Sequence, residues 1–219
     1  MLTRTSGSVK NDHSFCGGRM PKVTEEHRQA RRRQIAQAAL RCFARNGFQQ
    51  TSMADIIAES GLSAGAIYGH YKSKEELVEL AVSTVLDDRF VEVAEARRRD
   101  PLPTPGEMVR LLLRGIESQI PDLTLLLQIW GQVPINPRLG ELAVRVGARI
   151  RAVLTDYLAT WYERRGGIAP EEAAARAAED ATLYMGIIQG YVTQTTLFAD
   201  FDRDAYLAAV DRVGADPRR

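Results

Sequence analysis

The spacing of apolar and polar positions predicts that this chain consists of helices. Over residues 24–46 apolar side chains recur three and four positions apart, and one face of this helix carries Ile35, Ala39, Cys42 and Phe43. The same spacing predicts later helices at 73–99, 106–120, 123–132, 139–165, 170–198 and 203–213. The sequence shows neither the strict alternation of a half-buried strand nor an internal repeat. The predicted fold class is therefore all-α.

Capping residues and prolines divide the chain into regions. Ser73 and Glu76 have the spacing of a capping box, so a new helix is predicted to begin there. This boundary predicts a three-helix domain over residues 23–72 and a larger helical domain over residues 73–219. Residues 1–22 are polar and contain glycine, so we expect a disordered extension, and Met20 is an alternative start.

Residues 51–74, TSMADIIAESGLSAGAIYGHYKSK, carry the most specific pattern in the sequence. Thr51 and Ser52 are N-cap residue types, and they precede a short apolar helix. Gly61 can adopt the positive φ of a tight turn, and Ser63 can cap the next helix. Two short helices joined in this way form a helix-turn-helix motif, which is typical of DNA-binding proteins.

The second helix of this motif has two different faces. Ile67 and Tyr71 lie four positions apart and are predicted to pack inward. The opposite face is small and suits the edge of a major groove, and it is formed by Ala64, Gly65, Tyr68 and Gly69. We expect Tyr68, His70 and Lys74 to reach phosphates. The alternatives are that Tyr68 packs half-buried and that His70 is a surface or capping histidine.

Charge is distributed unevenly along the chain. Residues 1–75 contain 12 Lys and Arg against 6 Asp and Glu, whereas residues 76–219 contain 17 against 22. The basic end carries the helix-turn-helix, which favours a nucleic-acid partner. We assign the run Arg28, Arg31, Arg32 and Arg33 a phosphate-facing role, with Arg33 as its predicted DNA-binding residue, although the run could also be only a solvated helix start.

These residues resemble the TetR family of bacterial transcriptional repressors. The matching pieces are IAQAALRCFARNGFQQTSM, DIIAESGLSAGAIYGHY and KSKEELVELAV, which together span roughly residues 31–82. The resemblance implies an N-terminal three-helix DNA-binding domain, a helical ligand-binding and dimerisation domain, and release from DNA when a small molecule binds. The predicted DNA-binding residues are Arg33, Thr51, Ser52, Ser63, Ala64, Gly65, Tyr68, His70 and Lys74. Many relatives carry larger polar groups at Ala64, Ala66 and Gly69.

The helix predicted over residues 170–198 is apolar on two faces, and both must be buried. We expect one face to pack within its own domain and the other against a second copy of the chain. Glycines inside a helix suggest close helix packing, so the predicted homodimer interface contains Met185, Gly186, Gly190 and Val192. The alternative is that the glycines accommodate a bulky neighbour such as Trp161 or a ligand.

A small-molecule site is implied by the resemblance more than by the residues themselves. Aromatic and amide side chains would suit an apolar cavity with a few polar anchors, and the candidates are Gln128, Trp130, Tyr157, Trp161, Tyr184 and Gln189. The same residues could instead be plain core. No spacing of His, Cys, Asp or Glu suggests a metal site and no phosphate loop is present, so no cofactor is expected.

Composition narrows the class of protein. The 219 residues are 45% hydrophobic, which is enough for one substantial core and a smaller one. Neither a membrane span nor a secretory signal is predicted, and Cys16 and Cys42 do not form a disulfide framework. These features favour a cytoplasmic protein. The helix-turn-helix and the resemblance to the TetR family further imply a regulator that is no enzyme and that represses from a palindromic operator until a small apolar or aromatic effector releases it. Activation and a helical enzyme or carrier are the alternatives.

Overall fold

The computed structural model describes residues 25–120 and 122–213. Every regular element within these residues is a helix, so the predicted all-α fold class is confirmed. The helices are α1 (Glu25–Gln50), α2 (Met53–Ser60), α3 (Ala64–Tyr68), α4 (Lys74–Ala96), α5 (Pro105–Gln119), α6 (Thr124–Gln132), α7 (Pro137–Trp161), α8 (Pro170–Leu197) and α9 (Arg203–Arg212). The predicted extension at residues 1–22 lies outside the described residues.

A glycine ends the regular part of the first helix. Gly47 has φ 76° and ψ 161°, so the chain bends there, directly after the predicted helix over residues 24–46. The bend directs Phe48 back into the core, where its ring lies 5.6 Å from that of Phe43. Ser52 then caps α2 by accepting from the backbone N–H of Asp55, and the Asp55 carboxylate accepts from the Ser52 N–H at 2.8 Å.

The turn of the helix-turn-helix has the predicted geometry. Gly61 has φ 68°, which glycine adopts without strain, and Ser63 caps α3 by accepting from the Ala66 N–H. The second helix of the motif, α3, ends at Tyr68.

The two long helices α7 and α8 form the main helix pair of the larger domain. A turn of π-helix at Tyr162–Gly166 follows α7, and Gly167 at φ 64° ends it before α8 begins at Pro170. The connection is short, so the two helices lie antiparallel and pack side by side. Leu154 and Leu158 of α7 are fully buried, as is Ala177 of α8.

The short helix α6 lies between the two regions of the chain. It packs against α1 of the N-terminal region and against α7 and α8 of the larger domain. The helix α4 also spans both regions, because it packs against α1 on one side and against α5 and α7 on the other. A movement of α6 or α4 would therefore change the position of the helix-turn-helix relative to the larger domain.

Candidate nucleic-acid interface and apolar cavity

The recognition helix α3 exposes a small, nearly flat surface. Ser63, Ala64 and Gly65 are exposed, and Tyr68 is 42% exposed, whereas Ile67 is completely buried. Nothing lies within 4 Å of the position that a Cβ on Gly65 would occupy. The backbone of α3 can therefore approach a groove edge closely, with the Tyr68 ring as its one bulky group.

Two arginines of α1 hold α2 in place. Arg41 Nε lies 2.7 Å from Glu59 Oε1, and Arg45 Nη1 lies 3.2 Å from Glu59 Oε2. Hydrogen bonds from Arg41 and then Arg45 lower the pKa of the Glu59 carboxyl. The Gln34 amide also donates to the Ser60 carbonyl at 2.9 Å, so the turn before α3 is fixed to α1 by polar contacts.

The neighbouring side chains of Thr51 and Ser52 differ in their exposure to solvent. Thr51 is 2% exposed, and its hydroxyl donates to the Gly47 carbonyl at 2.7 Å. Its side chain is therefore part of the domain interior, and this placement does not support the predicted contact with DNA. Ser52 is exposed at the start of α2, where its hydroxyl also donates to the Asp55 carboxylate at 2.7 Å.

Lys74 binds the end of α1. Its ammonium donates to the carbonyls of Phe48 and Gln49, each at 3.0 Å, and lies 4.5 Å from the centre of the Phe48 ring. A cation at a helix C-terminus is favourable because the unpaired carbonyls there carry partial negative charge. An ammonium has three N–H donors, so one remains for a phosphate.

Two arginines of the basic run, Arg32 and Arg33, have different surroundings. Arg33 points toward α4, with Nη2 3.8 Å from Asp88 Oδ1. Arg32 instead hydrogen-bonds the Tyr71 side chain, just after the recognition helix, while burial raises the pKa of Tyr71. His70, next in sequence, is exposed. Arg32 is therefore better placed than Arg33 for a phosphate near α3.

Replacing Lys74 by alanine tests both of its possible contacts. We expect a loss of about 1 kcal/mol in unfolding free energy, because two hydrogen bonds to α1 carbonyls disappear. If the third N–H meets a phosphate, affinity should fall about equally for all DNA sequences and the salt slope should drop by about one per half-site. Urea unfolding and salt titrations of DNA binding measure the two effects. Lower stability with an unchanged salt slope would assign Lys74 to the fold alone.

A cavity of about 380 Å³ lies at the junction of the two regions. Its wall runs from Leu40 and Phe43 of α1 through α4 and α6 to α7 and α8. This volume lies within the usual range for small-molecule sites. The described residues that line it are almost all aliphatic, none is charged, and Gln189 supplies the side-chain amide.

Two of the six predicted ligand residues, Trp130 and Gln189, line this cavity. The other aromatic candidates belong to the core instead. The Tyr157 hydroxyl donates to the Pro103 carbonyl at 2.8 Å, and the Tyr184 hydroxyl donates to the Val213 carbonyl at 3.2 Å. Burial raises the pKa of Tyr184 to about 12. Trp161 is 1% exposed and also lies away from the cavity wall.

Gln128, the remaining candidate, faces the N-terminal region. Its Oε1 accepts a hydrogen bond from the Phe48 N–H at 3.0 Å, and it would lie 3.1 Å from a Cβ on Gly47. One turn later, Gln132 accepts from the Gln49 amide. The opposite side of the same helix lines the cavity with Ile129, so α6 contacts both the cavity and the end of α1.

The four residues predicted for the dimer interface have different surroundings. Met185 and Val192 line the cavity; Val192 is 1% exposed and so is not available on an outer face, whereas Met185 is only partly buried. A Cβ on Gly190 would lie 3.0 Å from the Tyr206 hydroxyl, which explains this glycine within one chain. Gly186 is exposed, and a Cβ there would meet nothing within 4 Å. On the same helix, Leu183 is 56% exposed.

Part of the chain matches a known protein family. Residues 35–81 match the family model described as bacterial regulatory proteins, tetR family. Residues 35–81 therefore carry the segment that is characteristic of TetR-family regulators. The resemblance inferred from the sequence pattern is therefore confirmed. Both regulators reported below are named HTH-type, in line with the helix-turn-helix at α2 and α3.

Two bacterial relatives match the chain over part of its length. The chain is 43% identical over 68 residues to the uncharacterized HTH-type transcriptional regulator YfiR of Bacillus subtilis, which is 31% of this chain and 33% of YfiR. It is 36% identical over 100 residues to the HTH-type transcriptional repressor Rv1474c of Mycobacterium tuberculosis, which is 43% of this chain and 53% of the repressor. The chain thus spans about half or less of the length of these two relatives.

One solved structure supports the fold of the larger domain. The transcriptional regulator FadR from Bacillus subtilis, solved in complex with stearoyl-CoA, has a TM-score of 0.60 to this chain. The similarity covers 81% of this chain and 94% of FadR at 19% sequence identity. At that identity the likeness extends to the fold, which is the two-domain helical fold of the TetR family.

The part of the chain that the structure describes contains neither a candidate metal site nor a candidate membrane span. Residues 25–120 and 122–213 contain no group of three or more His, Cys, Asp or Glu residues that could hold a metal ion. None of the described helices is long and apolar enough to cross a membrane.

Proposed function

We propose that this protein is a cytoplasmic, ligand-responsive transcriptional regulator that binds a palindromic operator as a homodimer. In this proposal it represses transcription until an uncharged, largely apolar effector enters the cavity. The observation that carries the proposal is the position of α6. One side of α6 lines the cavity and the other side hydrogen-bonds the end of α1, which leads into the helix-turn-helix.

The proposed DNA binding is supported by the surface of α3 and its surroundings. The exposed face of α3 is small, Tyr68 stands out from it, and Arg32 lies beside Tyr71 just after it. Small side chains allow close approach to base edges, whereas arginine and tyrosine suit phosphates. The relatives named above are regulators, and one of them is named a repressor.

The proposed homodimer is supported by exposed apolar residues on the outer surface of α7 and α8. Val144 of α7 is 74% exposed and Leu183 of α8 is 56% exposed. Gly186, one turn after Leu183, would allow a partner helix to come close. A second copy of the same pair would form a four-helix interface with two-fold symmetry, as a palindromic operator requires.

The proposed mechanism is a shift between two arrangements of the dimer. DNA favours the arrangement in which the two α3 helices fit half-sites one helical turn apart, about 34–36 Å. An effector that binds the other arrangement more tightly reduces the fraction that fits DNA. In this protein α6 is the element that both ligands would bias, because it contacts the cavity and the Phe48 backbone.

Selection of bound DNA from a random library tests the function. We expect one palindromic motif, occupied by two copies of the chain, and release by compounds that fill the cavity. A helical enzyme or carrier with the same cavity would enrich no preferred palindrome. An enriched motif without inverted symmetry would contradict the proposed dimer but not the DNA-binding role.

The chemistry of α3 predicts how the operator is read. Ala64, Gly65 and Ala66 offer no side-chain donor or acceptor, so we expect specificity to come from thymine methyl contacts and DNA shape, with few enforced guanines. Ala64→Arg should add a guanine preference at one position in each half-site, worth about 1–3 kcal/mol. The measurement compares selected operators for the parent and the variant. A parent motif dominated by invariant G·C pairs that Ala64→Arg does not change would contradict this prediction.

A further inference from the structure

A buried arginine lies beside the cavity and has no role in the mechanism described above. Arg89 of α4 is 7% exposed, and its Nη2 lies 2.9 Å from Glu92 Oε1. Its Nε has no hydrogen-bond partner among the described residues. A buried donor without an acceptor is unfavourable, because water has been lost and nothing has replaced it. This N–H is therefore a point where an acceptor from outside the chain would bind favourably.

The fold makes room for this arginine. A Cβ on Gly115 of α5 would overlap the Nη1 and Cζ atoms of Arg89, so only glycine leaves space for the guanidinium. The head group is thus enclosed between α4 and α5. Its position is fixed by packing, as expected for a group that orients a ligand.

Arg89 lines a smaller void of about 40 Å³ that adjoins the cavity. The two spaces share Leu86, Ile116, Ile150 and Ile188 as lining residues, so these side chains separate them. A change of rotamer at one of the four would join the spaces. A molecule whose apolar body fills the cavity would then place one end beside Arg89.

We propose that the effector carries a single uncharged acceptor, such as a ketone or ester carbonyl, that accepts a hydrogen bond from Arg89 Nε. This inference rests on the proposed function, because it assigns the chemistry of the effector. An uncharged acceptor is favoured since Glu92 already neutralises Arg89, and a carboxylate would add a buried negative charge without a partner. The rest of the cavity wall demands an apolar body.

Three matched probes test the proposal on the full chain. Butyrophenone and butylbenzene differ by one carbonyl, and phenylbutyrate carries a carboxylate on a similar frame. A hydrogen bond from a charged donor predicts that butyrophenone binds at least about tenfold more tightly than butylbenzene. Phenylbutyrate should bind more weakly than butyrophenone. Titration calorimetry or ligand-dependent thermal shifts give the dissociation constants.

Two variants remove the donor in different ways. Arg89→Met keeps the apolar stem, and Glu92, whose side chain is 35% exposed, can turn to water. Gly115→Ala leaves Arg89 in the sequence but displaces its head group. In both variants, the dissociation constant of butylbenzene divided by that of butyrophenone should fall to about one. As a control, Leu142→Ala alters the cavity away from the void and should weaken both uncharged probes alike.

The outcomes separate this inference from the proposed function. An unchanged preference in Arg89→Met and Gly115→Ala, tightest binding of phenylbutyrate, or no binding of butyrophenone to the parent would each overturn it. A role for Arg89 in holding α4 against α5 alone would lower stability without changing the ratio of the two affinities. Operator selection is independent of these probes, so the regulator assignment can stand if the carbonyl assignment fails.

Discussion

Replacement of Gly186 by leucine is expected to separate the proposed dimer into monomers and to remove tight operator binding. Gly186 is exposed on α8 with open space beside it, so a side chain there meets only a partner helix. Overpacking costs about 1–3 kcal/mol per site and occurs twice across a two-fold axis, which weakens dimerisation by about 30-fold or more. Sedimentation at several protein concentrations and operator titrations measure the two losses.

The neighbouring glycine provides the control for this experiment. Within a helix, leucine is favoured over glycine by about 1 kcal/mol, so Gly186→Leu should not destabilise the monomer. In Gly190→Leu the new side chain would press on Tyr206, whose hydroxyl donates to the Ile187 carbonyl at 2.7 Å. That variant should lower the unfolding temperature instead. A Gly186→Leu dimer as tight as the parent would show that this face of α8 is not the interface.

These two glycines show where sequence reasoning ends. Both lie inside α8, four positions apart, and the sequence alone gives them the same interpretation. They differ because α9 returns across α8 and places Tyr206 over Gly190 but leaves Gly186 open. That return depends on tertiary packing after the turn that follows α8, which helix periodicity cannot predict.

The helix-turn-helix, by contrast, was predictable because its geometry is local. The positive φ of Gly61 and the cap at Ser63 each depend on residues within one or two turns. Thr51 and Ser52 were harder to separate, since both are capping types. The choice between them depends on α1, whose Gly47 carbonyl accepts from the Thr51 hydroxyl.

The cavity was the least predictable feature. Aromatic residues at helical spacing look the same whether they face a void or a core. Tyr157 and Tyr184 face the core because backbone carbonyls of Pro103 and Val213 accept from their hydroxyls. The actual wall is mostly aliphatic, and it forms only where six helices from both regions meet. The sequence does show Gln128 and Gln132 one turn apart in the largely apolar α6, but both side chains contact the end of α1 and not the cavity.

Removing the two glutamines of α6 is expected to disconnect effector binding from DNA release. Gln128 accepts from the Phe48 N–H, and Gln132 accepts from the Gln49 amide, so the pair joins α6 to the end of α1. The double variant Gln128→Leu, Gln132→Leu keeps the side of α6 that lines the cavity. An effector should therefore still bind, but its effect on operator affinity, typically about 5- to 150-fold, should fall toward one. Operator titrations with and without a compound that releases the parent give this ratio.

Gln119 offers a matched control for this last experiment. Its amide donates to the Asp88 carboxylate at 2.9 Å and joins α5 to α4, away from the end of α1. Gln119→Leu also removes a side-chain hydrogen bond, so it should lower the free energy of unfolding by about 1 kcal/mol. The ratio of operator affinities without and with the effector should stay near that of the parent. If the double variant releases DNA as the parent does, the coupling must pass through α4, which packs against α1 without these amides.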